Sequence, residues 1–304
     1  MNPFFSVIIP LYNKRPHILR SVNSVLNQEF KDFELIVIDD GSTDGGIKEL
    51  NSLEDEKLKI FSKKNTGVSS ARNKGIEIAQ GIYIAFLDAD DEWDKIHLSN
   101  IYELIDKFPD KGVYTSAYKN QNIEGINYKQ YIQLDTMYIM NNYFKNFAPS
   151  NSSSSVVKKE KFNTNNIRFP ENMNIFEDHA TFYLIALKYG VAYHIEPTVT
   201  IHKDTVNRSP RDSLLLYENF LILHKTINNF IKNNTTTINK DSIIDIKKLL
   251  TKRSTVVAKH LIKDKNFKES QDIVCRLHLS SMNCFLFGYL KYFIYIAYKL
   301  RGLL

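Results

Sequence analysis

Asp88-Ala89-Asp90-Asp91 puts three carboxylates within four residues. Like charges this close repel, and burying them uncompensated is expensive. A hard divalent cation, Mg2+ or Mn2+, resolves the repulsion, because such ions take oxygen ligands and bridge phosphates. On an extended chain, side chains two apart share a face, so Asp88 and Asp90 could enter one site. An isolated Asp-x-Asp is more often a solvated turn capping a helix, here one opening near Trp93. Position favours the metal: the apolar run Ile82-Tyr83-Ile84-Ala85-Phe86-Leu87 stops at Asp88, as a buried strand would.

Other groups have types that suit a nucleotide. Asp39-Asp40-Gly41-Ser42-Thr43-Asp44 is a second acidic run after an apolar one. A carboxylate there can accept hydrogen bonds from a base or ribose; Asp-Gly turns and Ser/Thr caps explain it equally well. Tyr12, in Pro10-Leu11-Tyr12-Asn13, could pack on a nucleobase or simply on the surface. Asn65 to Asn73 opens a helix whose free N–H groups favour anions. Arg72 on that helix could orient an aspartate or reach a phosphate. Glu177-Asp178 heads another helix, where the dipole alone favours acids. Arg208 and Ser209 lie in a stretch that could close over a diphosphate, with Arg208 as a cationic clamp. His202 reads more readily as a structural histidine.

These groups need elements to position them. Strands are expected at Phe5–Pro10, Glu34–Asp39, Leu58–Phe61, Ile82–Leu87 and Gly112–Tyr118. Helices are expected from Pro16 to about Gln28, Thr66 to Ala79 and about Trp93 to Lys107, with an N-cap at Ser42-Thr43-Asp44. Short apolar runs alternating with helical periods predict an α/β fold: a Rossmann-like, mostly parallel sheet flanked by helices. Ligands of such sheets sit at the carboxyl ends of strands, where Tyr12, Asp40 and Asp88 fall. Residues 121–150 read as loops and small helices, and Ser152–Val157 as a strand. Glu177–Tyr189 reads as a helix, Val191–Ile195 and Val199–His202 as strands, and Lys225–Asp241 as a linker. Helical, basic sequence follows to the end.

The 304 residues carry a net charge of +6, unevenly distributed. Residues 240–304 hold 13 Lys/Arg against 5 Asp/Glu, and residues 1–239 hold 27 against 29. A basic tail suggests a polyanionic partner such as an anionic membrane. The stretch from Cys284 to Leu304 is apolar and aromatic but interrupted by Lys291, Lys299 and Arg301, which suits an interfacial helix better than a spanning one. It could equally pack on the body or on a second subunit, so a homodimer is compatible with it. No nucleic-acid partner is expected, because the acidic body offers no supporting groove. Two cysteines make no disulfide framework, which fits a reducing compartment, and the first ten residues do not read as a signal peptide. There is no G-x-G-x-x-G and no G-x-x-x-x-G-K-[ST], which disfavours dinucleotide enzymes and P-loop ATPases. A nucleotidyltransferase would carry a glycine-rich basic triphosphate loop near the first strand, and Pro10–Lys14 is not one.

In this order, Ser6-Val7-Ile8-Ile9-Pro10-Leu11-Tyr12-Asn13, Leu35-Ile36-Val37-Ile38-Asp39-Asp40-Gly41-Ser42-Thr43-Asp44, Asn65 to Gly75, and Phe86-Leu87-Asp88-Ala89-Asp90-Asp91 resemble the family-2 glycosyltransferases of bacteria, which have the GT-A fold. The likeness is strong over residues 5–94 and continues more weakly through Ser152–Val157 to Phe176-Glu177-Asp178-His179. It implies a catalytic domain over 1–215, with 1–120 as the nucleotide-sugar half and 121–215 as the acceptor half; residues 216–304 lie beyond the resemblance and read, from their own sequence, as a helical, basic region that could associate with a membrane. It also implies an inverting, metal-dependent enzyme. The donor would be a nucleoside-diphosphate sugar, a UDP-sugar favoured, and the acceptor a glycan or lipid-linked oligosaccharide of surface-polysaccharide synthesis. If the segment 284–304 contacts a membrane, the protein would be cytoplasmic and peripheral on the inner face of the plasma membrane. By the same resemblance Pro10, Tyr12 and Asp40 line the nucleoside pocket, Asp88 contacts the nucleotide, Asp90 binds Mn2+ or Mg2+, Arg72 braces the cluster and Asp178 is the general base. This chain has Phe176 where many relatives have Gly, and His179 where many have an aromatic residue, which bears on acceptor contacts. A catalytically silent nucleotide-sugar-binding protein at the membrane is the alternative.

Overall fold

Strands β1 (Phe5–Leu11) and β2 (Phe33–Asp39) are buried at every position. That is why they read as unbroken apolar runs: both faces of the sheet are covered. In the computed structural model, which describes residues 2–120, 137–139, 144, 151–202, 212–266, 268–270 and 272–273, one face of β1 presents Phe5, Val7, Ile9 and Leu11. These pack with Ile18, Val22 and Val25 of helix α1 (Arg15–Leu26), Leu50 of α2 (Gly46–Leu50), and Leu98, Ile101 and Leu104 of α4 (His97–Lys107). The other face carries Ile8, against which Gly75 of α3 (Val68–Ile78) packs so closely that a Cβ there would lie 2.5 Å from Ile8 Cγ2. Phe86 of β4 (Tyr83–Phe86) meets Phe162 of α5 (Lys159–Thr164), Phe169, and Phe182 of α6 (Glu177–Tyr189) edge-on or tilted.

Beyond these, the described residues give β3 (Leu58–Ser62), β5 (Glu92–Trp93), β6 (Val113–Asn120), β7 (Met137–Ile139), β8 (Ser155–Lys158) and β9 (Val191–Ile201). The order across the sheet is β3-β2-β1-β4-β8-β6-β9-β5, with β7 also on β9. β3, β2, β1 and β4 pair in parallel, as do β6 and β9. β8 runs antiparallel to both β4 and β6. The nucleotide-binding edge expected from the sequence is therefore the carboxyl end of the parallel block.

Six expectations change. Residues 121–150, read as loops and small helices, hold the strand β7 at Met137–Ile139, paired antiparallel with β9, and apart from these residues and Phe144 they lie outside the described residues. The N-cap expected at Ser42-Thr43-Asp44 falls instead on Gly45, at φ +86° and with no side-chain cap, because α2 starts only at Gly46. The helix expected from Trp93 starts at His97, because Glu92-Trp93 pairs with Thr200-Val199 as β5 and Trp93 Nε1 donates to Ser153 O at 2.6 Å. The strand expected from Ser152 starts at Ser155: Ser152–Ser154 form a 3-10 turn, with Asn151 Oδ1 accepting from Ser154 N, the local side-chain bonding that draws Asn and Ser out of ladders. Val191–Ile195 and Val199–His202 are one strand, β9, whose register against β6 shifts between Ser116 and Tyr118. Most of the expected linker 225–241 is helix: α7 (Ser213–Asn233) buries Phe220, Leu223, Ile227 and Ile231, a helical spacing that outweighs the polar composition around it.

The described residues fall into two compact units, Met1–Asn141 with Pro149–Arg208, and Asn142–Ala148 with Ser209–Leu304. In the second, α7 packs on α8 (Lys240–Lys263); Asp212 and Asn239 cap the two helices by accepting from Leu214 N and Asp241 N. Among the described residues no helix is long and apolar enough to cross a membrane. Residues 284–304 lie outside the described residues.

Candidate functional site

Parallel pairing brings the expected groups to one edge. Leu11 is opposite Asp39 and Ile8 opposite Phe86, so Tyr12, Asp40 and Asp88 leave neighbouring strands on the same side. Asp40 N donates to Leu11 O and Leu87 N to Ile8 O. Asn13, at φ +51°, ties the first loop to the second: its N donates to Ser42 Oγ, and its Oδ1 accepts from Thr43 N at 2.8 Å. Pro10 is buried in β1, and Tyr12, just beyond it, is 44% exposed.

The two aspartates after β2 differ in their work. Asp39 Oδ1 accepts from Ser42 N, which is turn chemistry. Asp40 is buried, and its oxygens accept from Thr66 N at 3.0 Å, Gly67 N at 2.7 Å and Lys63 Nζ. Asp40 is thus the anion seated just ahead of α3. Gly41 permits this approach: it has φ +78°, and a Cβ there would lie 3.0 Å from Asn65 N.

Arg72, in the second turn of α3 and 3% exposed, bridges two acidic segments. Its Nη2 donates to Asp88 Oδ1 at 2.8 Å and its Nη1 to Glu177 Oε1 at 2.9 Å. Its guanidinium also lies 5.2 Å over the Phe169 ring. This unites the end of β4 with the start of α6, 105 residues apart for the Arg72–Glu177 pair. Burial raises the Asp88 carboxyl; Arg72 opposes this and Asp90 adds to it. Burial and then the charge of Asp178 raise Glu177.

Asp178 behaves oppositely. Burial alone would raise it, but His179 and Arg72 prevail and hold the carboxyl well below the usual carboxylate range. Its Oδ1 accepts from His179 N at 2.7 Å and lies 2.9 Å from His179 Nδ1. Phe176, before this pair, has φ +68°. That left-handed conformation costs a residue other than glycine roughly 1–2 kcal/mol, so strain sits beside the acidic pair.

Asp90 Oδ2 receives Lys14 Nζ at 2.6 Å, and Asp90 O accepts from Arg20 Nη2 at 2.7 Å. Asp91 is not a helix cap, since α4 begins six residues later. It is buried, accepting from Ser153 Oγ at 2.6 Å and His202 N at 3.3 Å, and burial followed by the charge of Asp88 pushes it up to about 8. His202 closes this corner, its Nε2 3.3 Å from Glu92 Oε2. Arg208 and Ser209 lie outside the described residues.

Lys14, Glu177, Ser153 and Arg20 were not singled out individually from the sequence. Ser153 accepts from Asp88 N and donates to Asp91, and so fixes the acidic turn from a third segment. The four-serine run 152–155 was its only signal.

The donor chemistry fits a divalent cation shared with phosphate. Asp88 feels the charges of Asp90 and Asp178, Asp91 those of Asp88 and Asp90, and Glu177 that of Asp178. Among the described residues no three His, Cys, Asp or Glu side chains form a metal cage by themselves. Mg2+ commonly binds through one or two carboxylates plus substrate phosphates.

A family model described as glycosyl transferase family 2 matches residues 6–165. Glycosyltransferase GlyG of Streptococcus pneumoniae serotype 4 is 30% identical over 207 residues, covering 62% of this chain and 67% of that protein. The amylovoran biosynthesis glycosyltransferase AmsB of Erwinia amylovora is 39% identical over 113 residues, 36% of this chain and 38% of its own length. An uncharacterized glycosyltransferase of Rickettsia felis is 50% identical over 97 residues, 31% of this chain but only 16% of the relative. Among solved structures, S. aureus TarS 1–349 in complex with UDP superposes with a TM-score of 0.70 at 19% identity, covering 98% of this chain and 89% of that one. The mannosyltransferase PcManGT from Pyrobaculum calidifontis, in complex with GDP-Man and Mn2+, gives 0.60 at 16% identity, covering 93% and 77%. At these identities the structural likeness is one of fold, and the fold is GT-A.

Proposed function

The chain belongs to glycosyl transferase family 2, and from that premise we propose that it moves a sugar, with inversion, from a nucleoside-diphosphate sugar to a glycan or lipid-linked acceptor of a bacterial surface polysaccharide. The observation that carries this reading is the Arg72 bridge, which joins Asp88 of the nucleotide side to the Glu177-Asp178 pair of the acceptor side. The donor class is supported by the ligands of TarS and PcManGT, UDP and GDP-Man. The pathway is supported by amylovoran biosynthesis in a relative. A UDP-sugar remains our favoured donor.

In this reading Tyr12 lies against the base, Pro10 and Asp40 shape the pocket beneath it, and Asp88 meets the ribose. Mn2+ or Mg2+ held by Asp90, when bound, neutralises charge developing on the departing diphosphate. Arg72 keeps Asp88 and Glu177 oriented through its two nitrogens and bears part of the cluster's negative charge. Asp178, held ionised by His179 and Arg72, takes the proton of the acceptor hydroxyl as that oxygen attacks the anomeric carbon. A single attack opposite the leaving diphosphate inverts the configuration. Arg208 is proposed as a clamp on the diphosphate, and residues 284–304 as the contact with an anionic inner-membrane surface.

Asp178→Asn is the test of the base. Calorimetric binding of the nucleotide should stay within about twofold of the wild type, while transfer falls by on the order of 10²–10⁴. Transfer at the wild-type rate would remove Asp178 from the role.

A further inference from the structure

The metal ligand of the preceding reading already has a cation on it. Lys14 Nζ lies 2.6 Å from Asp90 Oδ2, and the two side chains are only 13% and 17% exposed. Lys14 is also fixed at its backbone, where its O accepts from His17 N and Ile18 N at the start of α1. Its side chain thus spans from the β1–α1 loop to the β4 turn, directly beside the crowded carboxylates. A second cation on Asp90 would meet the ammonium at close range and be repelled.

We propose that Lys14 is a positioning residue that holds the place of the metal on Asp90 and gives it up when a nucleoside diphosphate arrives. The proposal rests on Asp90 being the metal ligand. The diphosphate brings two or more negative charges to the same edge, and they offer the ammonium a better partner than a carboxylate that is also binding a divalent ion. Lys14 then swings from Asp90 to a phosphate oxygen. The consequence is coupling: metal alone binds weakly, nucleotide alone binds weakly, and the two together bind well. A linked pair of sites shifts each affinity by the same factor. An apo enzyme built this way keeps Asp90 ordered and neutralised without capturing metal.

The test is an electron paramagnetic resonance titration of Mn2+ with the full chain, alone and with UDP or GDP. Without nucleotide, Lys14→Met and Lys14→Gln should bind Mn2+ about tenfold more tightly than the wild type, and Lys14→Arg should stay near it. With nucleotide, the wild type should gain much more Mn2+ affinity than Lys14→Met does. A gain of affinity is a readout that mere structural damage does not produce. Variants that bind Mn2+ no more tightly than the wild type without nucleotide, while the wild type retains Mn2+ with UDP or GDP, overturn the role of Lys14 and leave the metal reading intact. A wild type that retains no Mn2+ with either nucleotide overturns both.

Discussion

Two acidic segments of the site converge on one residue, Arg72. It is buried, it pairs with Asp88 and Glu177, and Asp178 also acts on its charge. Removing one partner of a buried ion pair leaves an uncompensated charge, at a cost of about 3–5 kcal/mol. Asp88 remains partly solvated, so Arg72→Met should lose roughly 3 kcal/mol in urea unfolding. Added Mn2+ with UDP should raise the midpoint of the wild type, because a ligand bound to the folded state stabilises it by mass action, and should raise that of Arg72→Met less. A midpoint unchanged by the substitution itself would mean that the bridge contributes nothing to the fold. Arg72→Lys should behave nearly as badly, since an ammonium lacks the planar fork that reaches both carboxylates.

At the scale of elements, Glu34 pins three strands. Its carboxylate accepts from Ser6 Oγ of β1 at 2.6 Å, Lys59 Nζ of β3 at 2.8 Å and Gln80 N ahead of β4 at 2.6 Å. Burial alone would raise this carboxyl, but those donors outweigh it and hold it below its ordinary value. A carboxyl depressed in the folded state stabilises above its unfolded value, and that stability is lost as pH falls through the folded value. Glu34→Gln should therefore be less stable by about 1–2 kcal/mol at pH 7. The gap to wild type should close below about pH 4, where the wild-type group begins to lose its advantage. A gap that stays constant from pH 7 to pH 3 would contradict this. β1, β2 and β4 were legible in the sequence because burial on both faces leaves an apolar run. α6 was legible to the residue, since its helical period runs from Glu177 to Tyr189. β5 was not, because a two-residue strand carries no period. Nor was the Lys14–Asp90 pair, since residues 76 apart meet only through the sheet's crossover order. The αL backbone of Phe176 was also invisible, because the residue type argues against it.

On the whole-molecule scale, acidic and basic charge are divided along the chain. The residues proposed for catalysis lie in the unit of Met1–Asn141 and Pro149–Arg208, and the basic excess lies in residues 240–304. If 284–304 meets an anionic surface, a chain ending at residue 283 should stop co-sedimenting with phosphatidylglycerol vesicles while its thermal melt is unchanged. The full chain should release as salt rises, since screening weakens such contacts. Undiminished sedimentation of the shortened chain would exclude the segment as the anchor. Tyr12, Asp40, Asp88 and Asp90 gather at one edge of the sheet, where we propose that the donor binds. The most direct test of a donor site there is to incubate the purified protein with a panel of UDP- and GDP-sugars and Mn2+ and measure the nucleoside diphosphate released. At least one donor should yield diphosphate, and chelation with EDTA or Asp90→Asn should suppress it. A protein that neither binds nor turns over any donor in the panel has no nucleotide-sugar site at this edge.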